Sequence, residues 1–471
     1  MIVHKFGGTS VGDATRFSNV ADIVLAQHSA QAEDLQRGSV VVVSAMSGVT
    51  NQLIAGARAA AEGRDTAYRE VKADLLSRHL AVIDSLLTRS PERLKVGGLV
   101  EDRLHELDRF YRSIAMLGEV TARGFDAVAS VGEQLSSHIL AALLRERGAR
   151  AQAVSATELI VTDENFGAAT PLMDRTRQRL QERVQPLIER GLIPVITGYV
   201  GATEKGVTTT LGRSGSDYSA AIIGAGLEAD EVWIWSDVNG ILTADPNIVP
   251  QARTLTELSY AEAADLAYYG ADVLHPRTIR PVIQKGIPLR IVNSLQPRHP
   301  GTLIVERPSA DRALLPAIIS TTGLSLIGVG SQDDTWTLTM AARALHELSE
   351  AGVDVLMFSQ SFSEHSLNLV VREQDQAHCL KTLSREFENG KPNSPFHLGF
   401  EEQVATISVV GVPDWNGNGI VSRAFAALGK QGTRVIAVAQ AASEYSVSFC
   451  IPEKELFDTV RFLHRELGLE E

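Results

Sequence analysis

The chain has 471 residues, 44% of them hydrophobic and 21% charged. At ~150 residues per domain this fits a folded protein of about three domains, and excludes a disordered, collagen-like or low-complexity chain. A net charge of −13 argues against nucleic acid or an anionic membrane as the main partner, so any anionic ligand must be held by local cations.

Residues 1–6 read as a short strand entering a glycine turn, without the apolar core and cleavage site of a signal peptide, so the mature chain is expected to start near Met1. Apolar runs at 39–44, 192–198, 231–236 and 289–293 read as buried strands. Helical patterns alternate with them, which predicts an α/β sandwich with a largely parallel sheet. Between the early strands, Val71, Leu75, Leu76, Leu80, Ile83 and Leu87, then Leu104, Leu107, Tyr111 and Ile114, recur at helical spacing. They predict a helical insertion of two helices separated by residues 91–98. The stretch 293–301, with two prolines and a glycine, reads as the main domain boundary.

Beyond it lies an internal repeat. At a constant offset of 80, Gly352, Val355, Gln360, Ser363, Glu364 and Ser366 recur as Gly432, Val435, Gln440, Ser443, Glu444 and Ser446. Two copies of a small α+β unit are implied, each with a helix ending at glycine and two strands around a Ser-Glu turn. The repeated glutamines fall at strand ends, where they serve either packing or a ligand. Cys379 and Cys450 are too few for a disulfide framework and lack metal-ligand spacing, which with no apolar run near ~18 residues points to a reducing cytoplasm and no membrane.

Three segments carry candidate chemistry. Lys5-Phe6-Gly7-Gly8-Thr9-Ser10 follows a strand, so its backbone N–H groups can approach a phosphate while Lys5 supplies charge; a plain tight turn is the alternative. Residues Ser44 to Asn51 place small hydroxyl groups after another strand, where α/β sheets bind ligands or helices are capped. Residues Thr208 to Ser219 join Arg213, able to grip a carboxylate bidentately, with Asp217, which either caps the next helix or orients a catalytic lysine. Glu133 precedes another helix and reads equally as a capping-turn carboxylate. No Ser-His-Asp order, HExxH or strand-linked GxGxxG is found, so hydrolase, zinc-enzyme and dinucleotide-oxidoreductase readings have no support.

The segments beginning at Lys5 (KFGGTSVGD), Ser44 (SAMSGVTN), Ser130 (SVGEQLSS), Thr208 (TTTLGRSGSDYSAA), Trp235 (WSDVNGILTADP) and Gly270 (GADVLHPRT) together resemble the aspartate kinases of the amino-acid kinase family over essentially the whole chain. The resemblance implies a three-layer α/β kinase domain at 1–298 and two ferredoxin-like ACT domains at 316–400 and 401–471, with a strand near 301–312 completing the second. It implies a monofunctional enzyme that moves the γ-phosphate of ATP to the side-chain carboxylate of L-aspartate, with Mg²⁺ carried on the ATP phosphates and no dedicated metal site. By position, Lys5 would contact the transferring phosphate, Gly7 and Gly8 would donate N–H groups to it, and Asp217 would orient Lys5. Arg213 would take the α-carboxylate of aspartate, Glu133 its α-ammonium and Thr50 a carboxylate oxygen, with Ser44 and Ser216 in the same pocket. Ser236, Asp237, Leu242 and Asn247 fall in the nucleotide segment. There the chain departs from the family, which commonly has tyrosine at Leu242, arginine at Asn247 and lysine at Asp272; Arg253, Arg277 and Lys285 are candidate replacements. Gln360 and Gln440 resemble the glutamines that hold threonine in threonine-sensitive members, while Asp354 and Glu364 leave lysine as an alternative effector. Pairing of ACT units implies at least a homodimer. Another amino-acid kinase, or a catalytically weak ACT-bearing sensor, are the competing readings.

Overall fold

The computed structural model of the chain describes residues 1–31, 38–88, 90–268, 276–309, 315–331, 336–361, 365–387, 396–411, 419–440 and 446–470. It divides into two compact units, one of residues 1–241, 256–264 and 272–312, the other of residues 242–255, 265–271 and 313–471.

The first unit has strands β1 (Ile2–Phe6), β2 (Ser39–Val43), β3 (Ala151–Val154), β4 (Val161–Thr162), β5 (Ile193–Thr197), β6 (Val200–Thr203), β7 (Thr208–Thr210), β8 (Glu231–Ser236), β9 (Glu257–Ser259), β10 (Leu289–Asn293) and β11 (Thr302–Val305). Eight of them form one sheet in the order β3-β5-β2-β1-β8-β10-β11-β9, parallel from β3 through β10. β2 and β5 are buried along their whole length, because helices cover both faces of a parallel sheet and leave no side for polar alternation. β4, β6 and β7 form a separate small sheet.

Its helices include α1 (Ala14–Gln31), α2 (Val49–Ala61), α3 (Asp65–Leu86), α4 (Ser90–Leu117), α5 (Ala122–Ala129), α6 (Val131–Glu146), α7 (Met173–Arg183), α8 (Gln185–Glu189), α9 (Gly215–Leu227), α10 (Tyr260–Tyr268) and α11 (Pro276–Lys285). The insertion is α3 and α4, whose apolar stripes join one core with Phe6, Trp235 and α6. The expected separator at 91–98 is instead the opening of α4. Pro91 lies in its first turn, where a missing N–H removes no helical hydrogen bond. The stretch Ala122–Glu146 is long and apolar enough to cross a membrane by composition, but most of it is buried inside the fold and serves as core.

The proline-rich stretch 293–301 is not a domain boundary. β10 and β11 pair antiparallel, so the chain must reverse there, and β11 belongs to the eight-stranded sheet rather than to the second repeat. The second unit contains β12 (Ala317–Ser331), α12 (Leu338–Glu350), β13 (Val355–Ser361), β14 (Ser366–Arg372), α13 (Gln376–Phe387), β15 (Phe396–Val410), α14 (Ile420–Gln431), β16 (Ala437–Gln440), β17 (Ser446–Pro452) and α15 (Leu456–Glu466). Among the described residues its six strands run β13-β14-β12-β15-β17-β16, all antiparallel. Two 15-residue strands, β12 and β15, pair along their lengths with register shifts between Thr321 and Leu324 and between Leu324 and Leu326. One half of each serves the first repeat and the other half the second. The strand that completes the second repeat is therefore the start of β12, not 301–312, and no clean cut falls at 400.

Trp235, on β8, is 1% exposed and stacks on Phe6 of β1 with ring centroids 5.5 Å apart and planes at 12°. Loss of a large aromatic from such a packed position leaves an unfilled cavity. Trp235→Ala is expected to destabilise the first unit by about 3–5 kcal/mol, measured by denaturant unfolding. A change below about 1 kcal/mol would show that this stack does not anchor the sheet.

Candidate active site

The sheet order places β1 where the chain's direction of winding reverses, with β2 and β5 to one side and β8 and β10 to the other. Open α/β sheets bind ligands in the crevice outside the carboxyl ends of strands at such a switch point. Register aligns those ends, since Phe6 lies opposite both Val43 and Trp235, and Val43 lies opposite Thr197. Gly7, Ser44, Ser236 and Gly198 consequently emerge side by side.

Lys5 faces α9, and its ammonium is 2.5 Å from the Asp217 carboxylate, both side chains being largely buried. Asp217 occupies the first turn of α9, where the helix dipole favours an anion. Among the described residues its contact is the ion pair to Lys5, and no side-chain hydrogen bond caps α9. A Cβ at Gly7 would lie 3.4 Å from the lysine nitrogen, and one at Gly8 would press to 3.0 Å on the Ala45 carbonyl oxygen. Side-chain-free residues keep this turn open against β1 and the loop after β2. Next to it, Ser10 and Ser294 share a hydrogen bond of 3.0 Å, and Ser294 donates to the Ser236 carbonyl, fixing the turn to the end of β8.

Glu133 stands in the first turn of α6 and is 3% exposed. Its carboxylate accepts backbone N–H groups from Ala45 and from itself, yet Oε2 has no hydrogen-bond partner among the described residues. Burial pushes its pKa from 4.5 up to about 8, against those hydrogen bonds. Ala45 links the two halves of the site, offering its N–H to Glu133 and its carbonyl to the face of Gly8. Thr50 lies in the first turn of α2 and Ser44 at the end of β2, both half-buried. Arg213 is exposed in the turn between β7 and α9, and Ser216 packs where a Cβ at Gly198 would come within 2.7 Å of it.

Two residues of this site escaped the sequence reading. Tyr199, just past β5, holds φ +68, a left-handed conformation uncommon for a large side chain. Its N–H donates to Ser219 Oγ, and its hydroxyl, hydrogen-bonded to Thr210, has its pKa pushed up by burial. The Gly-Tyr following a buried strand carried the same positional signal as Gly7 and Ser44. Asp126, a single acid in α5 with no motif around it, gave no signal.

The nucleotide segment divides. Ser236 and Asp237 belong to the first unit, with the Ser236 hydroxyl donating to Asp237 at 3.2 Å. Leu242 and Asn247 fold with the second unit, where Leu242 bridges to Thr254 and the Asn247 amide donates to Asp245. Ala244, Ile248 and Val249 share a core with β15, β17, α14 and α15. The Thr243 hydroxyl meets His464 Nε2 at 3.0 Å, and Arg461 donates to the Ile248 carbonyl. Arg253 belongs to this second unit too. Lys285 pairs with Glu228 beyond the C-terminus of α9, about 16 Å along the axis from Asp217, whereas Arg277 and Arg280 act electrostatically on Tyr218 in its first turn. Asp272, Ser363, Glu364, Ser443 and Glu444 lie outside the described residues. Gln360 ends β13 with its Nε2 buried and unpartnered among the described residues; Gln440 ends β16 and is exposed, as is Asp354.

Comparison with known proteins agrees with this architecture. The amino acid kinase family model matches residues 1–293, and an ACT domain model matches residues 325–387 and 407–467. The chain belongs to the amino acid kinase family. Within it the chain is a homologue of the aspartokinases, 31% identical over 98% of its length to aspartokinase 1, chloroplastic, of Arabidopsis thaliana, and spanning 79% of that protein. It is 30% identical over 99% of its length to the bifunctional aspartokinase/homoserine dehydrogenase of Haemophilus influenzae, of which it spans 56%. The chain thus covers little more than half the length of such bifunctional relatives. It also superposes on E. coli aspartokinase III, solved with aspartate and ADP, with a TM-score of 0.81 and 28% identity over 99% of both chains; that protein has also been solved with lysine and aspartate.

The raised Glu133 pKa has a testable sign. The folded state binds more protons than the unfolded chain between pH 4.5 and about 8, so stability from this group falls as pH rises through that window. Glu133→Gln is expected to have a higher Tm than the parent at pH 8, with the gap closing toward pH 4.5, by calorimetry. An equal or lower Tm at pH 8 would mean that the buried carboxylate is not destabilising.

Proposed function

We propose that the chain is an aspartate kinase that transfers the γ-phosphate of ATP to the side-chain carboxylate of L-aspartate. The observation that carries this reading is the unpartnered, buried Oε2 of Glu133, joined through Ala45 to the glycine turn over the Lys5–Asp217 pair. An ammonium receptor beside a phosphate cradle fits an amino-acid substrate. Arg213 grips the α-carboxylate in two parallel hydrogen bonds, Glu133 takes the α-ammonium, and Thr50, Ser44 and Ser216 fix the rest of the molecule.

The substrate carboxylate is already ionised at neutral pH, its reference pKa being ~3.9, so no general base is needed. One of its oxygens attacks the γ-phosphorus in line; the new O–P bond forms as the bond to the leaving ADP oxygen breaks. Two anions must meet, and catalysis rests on positive charge and alignment. Lys5, held by Asp217, supplies that charge where it develops, and Gly7 and Gly8 offer N–H groups to the phosphate. Ser236 and Asp237 flank the nucleotide, and Arg277 and Arg280 add positive charge that acts on Tyr218 in the first turn of α9. Mg²⁺ would be carried on the ATP phosphates, where it would supply further positive charge.

The ACT units receive an amino-acid effector and pair between two copies of the chain. Gln360 and Gln440 favour a small hydroxylated amino acid, L-threonine, since an amide both donates and accepts. Lysine is the second reading, supported by the lysine complex of the similar E. coli enzyme.

With purified protein and Mg-ATP, ADP release is expected with L-aspartate and not with L-glutamate. Lys5→Ala should lower kcat by several orders of magnitude with aspartate binding retained. ADP release with glutamate but not aspartate, or with neither, would overturn the reading. L-threonine at millimolar concentration or below should inhibit, with Gln360→Ala raising the inhibitory concentration at least tenfold. Inhibition by lysine alone would transfer the site to that effector.

A further inference from the structure

Asp126 is 2% exposed and touches neither Lys5 nor the glycine turn, yet its carboxylate is fully engaged. Oδ2 accepts the N–H groups of Gly167, at 2.9 Å, and Thr210, at 3.0 Å, while Oδ1 accepts the Thr210 hydroxyl at 2.6 Å. Both nitrogens lie far from α5 in sequence, on segments that no helix or large sheet restrains.

The Thr210 backbone is thereby held on every side. Its own N–H goes to Asp126, its carbonyl accepts Ala169 N–H at 2.9 Å, and the following N–H, of Leu211, donates to Tyr199 at 2.9 Å. Three residues beyond Thr210 comes Arg213, after Gly212 at φ +79, where a Cβ would approach the Gly167 carbonyl to 3.2 Å. In the other direction the Asp126 carbonyl accepts Ser130 N–H at 3.1 Å, and the chain continues directly into α6 and Glu133. One buried side chain therefore connects α5, which leads into the helix bearing Glu133, to the end of β7, which leads into the turn bearing Arg213.

We propose that Asp126 is a positioning residue for substrate recognition, setting the span between Glu133 and Arg213 so that the α-ammonium and α-carboxylate of one amino acid are gripped together. The inference rests on the aspartate-kinase reading. Misplacing one grip by about 1 Å is enough to cost a large factor in a two-point clamp, whereas the phosphate cradle of Lys5, Gly7, Gly8 and Asp217 shares no hydrogen bond with Asp126. The effect falls on aspartate and spares ATP.

The test is steady-state kinetics on full-length protein. Asp126→Ala is expected to raise the aspartate KM at least tenfold, with the ATP KM and the kcat at saturating aspartate within about threefold of the parent. Asp126→Asn should restore most of the affinity, because its Oδ1 still accepts both N–H groups and its Nδ2 donates to the Thr210 hydroxyl. KM does not depend on the fraction of protein folded, so a merely structural role would lower kcat and Tm and leave KM in place. If Asp126→Ala does not fold, Thr210→Val, which loses the hydroxyl contacts to Asp126 and Tyr199 but keeps the backbone N–H bond to Asp126, should still raise the aspartate KM about threefold. An unchanged aspartate KM in the folded variant, or an equal rise in both KM values, overturns the proposal. Arg213→Lys separates the two failures: if it raises the aspartate KM and Asp126→Ala does not, the positioning role falls and the kinase reading stands. If the parent protein does not phosphorylate aspartate, both fall.

Discussion

A cation buried at the end of a central strand needs a permanent counter-charge, because an isolated ammonium out of water is strongly disfavoured. In this protein Asp217 meets that need for Lys5. The first turn of α9 must then come to the end of β1, and Gly198 must remain bare so that Ser216 can pass. The parallel register of β5, β2, β1 and β8 brings four loop openings level with the pair. Much of the kinase unit's architecture follows from keeping one ion pair dry and one edge of a sheet open.

Glu133 represents the opposite choice. Its carboxyl is buried with one oxygen unpartnered among the described residues and its pKa raised, which lowers the stability of the unliganded fold at neutral pH. Functional sites commonly hold groups that the bare protein would be more stable without. A ligand ammonium is the natural complement, since it favours the ionised form and fills the missing contact at once.

The second unit gains its cohesion from shared strands. β12 and β15 each run through both repeats, so the two ACT units share a backbone ladder and cannot separate without breaking it. The hairpin 242–255 is built into that same unit through Ala244, Ile248 and Val249 and through the Thr243–His464 contact. It follows Ser236 and Asp237 of the first unit directly in the chain, so the residues read as a single nucleotide segment are distributed over two folding units.

The sequence by itself determined the alternation that makes the first unit α/β, the strands at β1, β2, β5, β8 and β10, the repeat at offset 80, and the glycine turn with Lys5 and Asp217. Apolar runs and side-chain-free turns are local consequences of burial and close approach, and both are written residue by residue. Tertiary structure decided what local pattern leaves open. Residues 293–301 carry the punctuation of a linker but turn β10 into β11, because a proline-glycine turn reads alike whether the next strand pairs back or departs. Pro91 opens a helix rather than dividing two, since its cost depends on whether the N–H it lacks had a partner. The strand completing the second repeat comes from the start of β12, some 80 residues before its partner β15, a pairing fixed by hydrogen bonds between distant segments. Asp126 is the extreme case: nothing around it in sequence sets it apart, and its meaning lies entirely in three hydrogen bonds to residues 41 and 84 positions away.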